Sequence, residues 1–336
     1  MARTLHVADR MRLPIERLNR LAADHAALAA AHPLRFDTPV DSTRWFVCPT
    51  LTPLYYTRSY SRLGREQALR YNQIMGMAHN EVIAFFETRF AGNVLGTLAK
   101  VKRKGDGAPA ELAECLGNFI REEASHTDAF RRLNRLSAPQ WYAQQDDHVL
   151  CVPLAVQRLL DYVTRHPRTF PMVIWVMLIM EERSLEISRR YAHMDKAKVE
   201  AHYAAVYRAH LHDEVRHVQI DWHLLECFYE GRASLLREMN AALVRLFVFG
   251  FFFTPARATV RAVDLLVEEF PELAGLRPQM VRELKSLRHN DDYRRMMYSQ
   301  EVNPLTFALF DYFPEFDAMK RAMTCTRLLE EVEVAP

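Results

Sequence analysis

The sequence predicts an all-α protein, and three observations predict it. Glycine is scarce, with 10 in 336 residues, under half of the usual ~7%. Leu, Ala, Arg, Met and Glu, all good helix formers, dominate the chain. Beyond Arg62, long segments carry apolar residues at helical spacing with few breakers. The hydrophobic share, 49%, is enough to bury a sizeable core in a chain of this length.

The elements follow in order. An amphipathic helix near the start gives way to HPLRFDTPVDSTRWFVCPTLTPLYY, whose prolines predict irregular chain wrapping a body. Helical periodicity then predicts helices at 63–95, 110–136, 153–165, 169–194, 197–229, 235–249, 256–268 and 278–290. Gly and Pro cluster at the breaks: KRKGDGAPAE (102–111), SAPQ (137–140) and RHPRTFP (165–171). The tail, 300–336, holds short pieces around Pro304 and Pro314. With no repeat and no Ser/Gly-rich linker, the expectation is one helical domain. It comprises a wrap at 1–60, a bundle at 61–230 and a C-terminal elaboration at 231–336.

Charge is nearly balanced, 44 basic against 42 acidic residues, which argues against a nucleic-acid or membrane-surface role. The five cysteines, widely spaced and without a C-x-x-C, fit a reducing, cytoplasmic compartment. The first twenty residues lack the apolar core of a signal peptide. LFVFGFFF (246–253), closed by Arg245 and Pro255, is far short of a membrane span and reads as a buried helix.

Two Glu-x-x-His pairs occur, Glu123/His126 in FIREEASHTDAF and Glu214/His217 in HLHDEVRH. A three-residue step keeps both side chains on one helix face, where they can share an ion. Chance supplies such pairs almost as often, so the surrounding surface decides. Leu112, Leu116, Phe119, Glu123, His126, Phe130 and Leu133 fall on one stripe, apolar except at the pair. His210, Glu214 and His217 form a second line, continued by Leu224 and Phe228, with His202 and His212 off it as surface residues. Carboxylates pointed into a core cost several kcal/mol each unless a cation neutralises them.

Bundle-core dinuclear sites take a Glu-x-x-His from each of two helices and a lone Glu from each of two more. Glu81, in MGMAHNEVIAFF, and Glu182, after the charge-free run of MVIWVMLIMEERSLEI, supply these in the right order. Leu178 and Leu185 favour Glu182, with Glu181 as the alternative. The expected ligands are therefore Glu81, Glu123, His126, Glu182, His210, Glu214 and His217. Four carboxylates and three imidazoles without a thiolate suit two iron ions, or manganese, rather than structural zinc. Glu122 and Asp213, directly before the ligand glutamates, are expected to accept hydrogen bonds from ligand imidazoles.

This arrangement resembles acyl-carrier-protein desaturases, ribonucleotide reductase small subunits and bacterial multicomponent monooxygenases. Those have two histidine ligands. The added His210, in H-x-x-x-E-x-x-H, is similar to the third histidine of the di-iron arylamine N-oxygenases typified by p-aminobenzoate N-oxygenase. HNEVIA resembles that family's first lone-Glu segment and EEASH its first pair, so the likeness spans about 75–220. It implies a ferritin-like four-helix bundle with added terminal helices. The implied chemistry is O₂ taken up as a peroxo species between two ferrous ions and passed to an amine nitrogen. A small-molecule substrate, free or carrier-bound, an external reductase and a homodimer are implied with it. The rival readings are a di-iron hydroxylase or desaturase acting at carbon, a non-catalytic ferritin-like metal-binding protein, and a metal-free helical module.

Overall fold

The computed structural model describes residues 12–102, 110–251 and 257–322. Among them the regular structure is helical, and the one strand-like feature is an isolated bridge between Trp45 and Val199. The all-α expectation holds. The first helices are α1 (Ile15–Ala31), α2 (Arg65–Phe85), α3 (Gly92–Lys102), α4 (Ala110–Ser137), α5 (Leu154–Thr164), α6 (Met172–Ala192) and α7 (Ala201–Leu225). Then come α8 (Ser234–Phe251), α9 (Arg257–Glu269), α10 (Arg277–Ser286), α11 (Asp291–Met297), α12 (Pro304–Tyr312) and α13 (Asp317–Ala322).

Three predicted helices are interrupted. The 63–95 helix becomes α2 and α3, joined through a π-helical turn at Phe86–Ala91. The 197–229 helix likewise ends in a π-helical turn, Glu226–Glu230. The 278–290 helix stops at Ser286, and Asn290 starts α11 by accepting a hydrogen bond from the Tyr293 amide at 2.8 Å. Residues 103–109 of the predicted break, Pro255 and the tail beyond Ala322 lie outside the described residues.

Helices α2, α4, α6 and α7 form the bundle, α6 packing extensively on α7, α2 on α4, and α4 on α7. Crosslinks fix their register. Asn80 donates to Asn134 Oδ1 at 2.8 Å, Asn134 donates to the Met77 carbonyl at 3.1 Å, and the Tyr207 hydroxyl donates to Asn80 at 2.9 Å. Helix α6 is buried all round: Val173 to Ile179 are each 0% exposed. That burial removes the polar face from which helix orientation is normally read.

The predicted wrap is fastened at several points. Asn72 accepts from the Phe46 and Val47 amides and donates to the Val47 carbonyl. A Cβ at Gly76 would lie 2.6 Å from that of Phe46, so only glycine lets the wrap cross α2 here. His202, expected on the surface, is instead buried and hydrogen-bonded to Thr38 and the Arg35 carbonyl. His212 is exposed, as expected.

Residues 246–251 of the LFVFGFFF segment are helical but not buried all round, and its last two residues lie outside the described residues. Val244 and Val248 face inward, but Leu246 is 70% exposed, and Leu235, Met239 and Phe251 are exposed on the same helix. Among the described residues, α8 packs chiefly on α6 and on the turn at Pro314–Phe316. Among the described residues no helix is long and apolar enough to cross a membrane. Cys48, Cys115 and Cys151 are free thiols, and Cys325 lies outside the described residues.

Candidate metal centre

Two groups of metal-capable side chains meet inside the bundle. Glu87, His126 and His210 form one, and Glu123, Glu181, Glu214 and His217 the other. Within each group the ligand atoms all lie within 4.8 Å of one another, and every residue is buried. Five of these were expected from the sequence: Glu123, His126, His210, Glu214 and His217. Both apolar stripes point inward as read, with Phe119, Phe130 and Leu133 each 0% exposed.

The two groups are joined. His126 Nδ1 lies 3.6 Å from Glu87 Oε1 and 3.9 Å from oxygens of both Glu123 and Glu214. His217 Nδ1 lies 3.1 Å from Glu123, 3.3 Å from Glu214 and 3.6 Å from Glu181. His210 Nε2 lies 3.4 Å from Glu87 and 2.9 Å from Glu214. Glu123 and Glu214 therefore face both groups, while Glu87 and Glu181 each face one.

The outward nitrogens are held crosswise. His126 Nε2 meets Asp213 at 2.8 Å, and His217 Nε2 meets Glu122 at 3.0 Å. Each pair's histidine is thus held by the acid beside the other pair's glutamate. Arg216 contacts both acids, Glu122 at 2.6 Å and Asp213, and so fastens the two halves together. Paired with these acids, each imidazole when neutral would carry its proton on Nε2 and turn its Nδ1 lone pair inward. Ser188 meets His210 Nδ1 at 3.2 Å, Phe119 stacks on His217 at 3.8 Å, and Phe130 stands edge-on to His210 at 5.1 Å.

The donor set fits a cation. Glu87 Oε1, both oxygens of Glu123 and of Glu214, Glu181 Oε1, and the Nδ1 atoms of His126 and His217 are buried without a hydrogen-bond partner. Buried polar atoms are otherwise almost always paired, and these converge. Without a counter-charge the acids resist ionisation: burial and then the Glu87 charge push Glu123 up to about 7, and burial and then Glu214 push Glu181 well above its usual range. Glu87 keeps one oxygen for the centre because Thr127 donates to the other at 2.8 Å.

Glu81 and Glu182 are corrections, since neither belongs to either group. Glu81 accepts from the Tyr142 hydroxyl at 2.5 Å and from the amides of His148, Val149 and Leu150, so it anchors the loop before α5. Glu182 accepts from the amides of Leu305 and Thr306 at 2.7 and 2.9 Å and from the Thr306 hydroxyl at 2.5 Å. It supplies the N-terminal cap that α12 lacks in its own sequence. The apolar flanks of Glu182 misled because α6 is apolar on every side. Glu87, not considered from the sequence, has a readable stripe of its own: Ile83, Ala84, Phe90, Ala91 and Val94.

These assignments separate in a stability measurement. Glu81→Ala or Glu182→Ala should each lower unfolding free energy by roughly 2–4 kcal/mol, because two or three buried amides lose their acceptor. Denaturant titration reads that loss, while metal content should stay at the wild-type level.

Two further features were not legible. Asp221, four residues beyond His217, is 0% exposed, and neither of its oxygens has a hydrogen-bond partner. A cleft of about 1060 Å³ between α1, α4 and α7 reaches the backs of His126 and His210, and there His25 meets Asp213 at 2.6 Å.

Comparison with known proteins meets this geometry. A model of the p-aminobenzoate N-oxygenase AurF family matches residues 11–301. The chain belongs to the AurF family. The match runs well beyond the 75–220 likeness visible in the motifs and takes in the wrap and much of the C-terminal elaboration. No curated protein matches the chain. Membership in the AurF family makes this a protein of an oxygenase family, and its seven buried side chains are of the kind such a centre needs.

Proposed function

We propose that the chain is a non-haem di-iron, O₂-dependent oxygenase that N-oxygenates an amine. The carrying observation is the convergence of seven buried side chains, six of which carry eight donor atoms without a hydrogen-bond partner. Glu87, His126 and His210 would hold one ion and Glu181 and His217 the other, with Glu123 and Glu214 shared between them. Four carboxylates balance two divalent charges, and the oxygen and nitrogen donors suit iron or manganese. When bound, the ions supply the electrons and binding positions through which O₂ is reduced.

The chain's own residues set the conditions for that chemistry. Asp213 and Glu122 fix the imidazole tautomers, and Phe119 and Phe130 keep the rings oriented and water out. The first oxygenation balances as amine plus O₂, two electrons and two protons giving hydroxylamine and water. An external donor provides the electrons.

Protein reconstituted anaerobically should carry two irons per chain and, once reduced and exposed to O₂, give a transient visible absorption that an arylamine quenches. Mass spectrometry should find hydroxylamino or nitro product. Oxygen inserted only at carbon would replace the N-oxygenase reading. Many irons per chain without turnover would replace the enzyme reading altogether.

A further inference from the structure

One carboxylate ties three helices to the centre. Asp213, on α7, meets His126 of α4 through Oδ2 at 2.8 Å and His25 of α1 through Oδ1 at 2.6 Å. Arg216 contacts Oδ1 as well. An ionised carboxylate only accepts, so His25 donates through Nδ1. His25 is 188 residues away in sequence, yet it holds the back of the group that orients a candidate ligand.

The two halves of α1 are seated differently. In the first, Leu18 is 1% exposed, Ala22 is buried, and Asn19 donates to the Glu111 carbonyl at 2.9 Å. In the second, every residue of 23–31 is exposed except His25. Ala22, Ala26 and Ala29 line one side of the cleft of about 1060 Å³, with His126, His210 and Asp213 across it. Methyl groups are too short to fill that gap, so this half of α1 lies over the cleft as a bar fastened at His25. The His25 ring also lies 5.2 Å from that of His212 on α7. A helical segment held by so few buried groups opens locally at little cost.

We propose that the second half of α1 is a lid latched to the metal centre through His25, an inference that rests on the di-iron reading for the presence of metal and on nothing about the substrate. His25 is a positioning residue that keeps Asp213 aligned with His126, and loading of the centre in turn tightens α1 over the cleft. With a cation on Nδ1, the His126 Nε2–H is a stronger donor and fixes Asp213 in the place His25 grips. Such coupling is reciprocal: the factor by which a seated α1 raises metal affinity is the factor by which bound metal favours the seated α1.

The test titrates Mn²⁺ into metal-free protein and follows hydrogen–deuterium exchange of the amides of 23–31 in both forms. His25→Ala should weaken Mn²⁺ binding about threefold to tenfold, less than the ~10–100-fold expected of a group touching a ligand. His25→Asn, whose amide donates from nearly the position of Nδ1, should restore most of the loss. In wild type, saturating Mn²⁺ should slow exchange of these amides by about the same factor as the affinity changes, with the amides around Leu18 as internal reference. In His25→Ala, metal should leave them unchanged. Exchange at 23–31 that is indifferent to metal in wild type overturns the proposal, as does wild-type affinity in His25→Ala. Equal weakening in the Ala and Asn variants also overturns it, because the hydrogen bond would then not be the latch. Failure of wild type to take up any Mn²⁺ removes the metal centre and the lid together, whereas uptake without a change at α1 removes the lid alone.

Discussion

Glu214→Ala should empty the centre, taking iron from two ions per chain towards none and turnover below detection. Glu214 lies 2.9 Å from His210, 3.3 Å from His217 and 3.9 Å from His126, so its loss removes a ligand from both positions at once. It also leaves one negative charge too few for two divalent ions. A substitution behind the ligands should behave differently. Asp213→Asn keeps the shape of the group that meets His126 and removes its charge, which should weaken metal affinity roughly 10–100-fold. Metal analysis after gel filtration, with turnover under saturating iron, distinguishes the two. Full iron in Glu214→Ala would show that the convergence in the bundle is not a metal centre.

Metal-free and metal-loaded protein should differ most in stability at high pH. Burial and neighbouring carboxylates raise Glu123 to about 7 and Glu181 well above the usual range. His126 is also raised, to about 10: burial opposes this, but hydrogen bonds to Asp213 and Glu87 outweigh it. All three groups hold more protons in the folded metal-free chain than in the unfolded chain between pH 5 and 8. Stability of the metal-free form therefore falls as pH rises through that window. The Glu123 part is fully present below the ordinary carboxylate value and is lost as pH rises towards its folded value near 7. The histidine part is present below about 6.5 and fades as pH climbs towards 10. Bound ions replace those protons and release them on loading. The melting-temperature gap between loaded and metal-free protein should widen steadily from pH 5 to pH 8, by an amount equivalent to a few kcal/mol. A gap that narrows would show that the acids are not protonated in the empty form. Taking the difference cancels groups such as His79, whose lowered value acts in the opposite sense in both forms.

Much of this site could be read from helical periodicity, and the exceptions have specific causes. On α4 and α7 the stripes of Leu112, Phe119 and Phe130 and of Leu224 and Phe228 are flanked by polar faces, so the direction of Glu123 or His217 follows from counting. Asp213 and Glu122 stand directly before Glu214 and Glu123 in sequence, and the structure sets them against His126 and His217. On α6 both sides are buried, and Glu181 and Glu182 are distinguishable only by what faces them: His217 in one case, the first turn of α12 in the other. On α2 the count itself changes midway, because the turn at Phe86–Ala91 does not keep the α-helical period. Glu81 sits before that change and Glu87 within it. Contacts distant in sequence, such as the loop amides that occupy Glu81, leave no periodic trace.

The π-helical turn acts as a vernier between two fixed scales. Upstream, α2 is locked to α4 by the Asn80–Asn134 pair, and downstream Val94, Leu95 and Leu98 are set into the apolar core. Neither side can rotate to aim a carboxylate without unpacking its neighbours. The added backbone residue between them lets Glu87 be steered while both flanks keep their seating. Shortening the turn by one residue would therefore misdirect a single oxygen at the centre, and leave the surrounding helices almost no freedom to correct it.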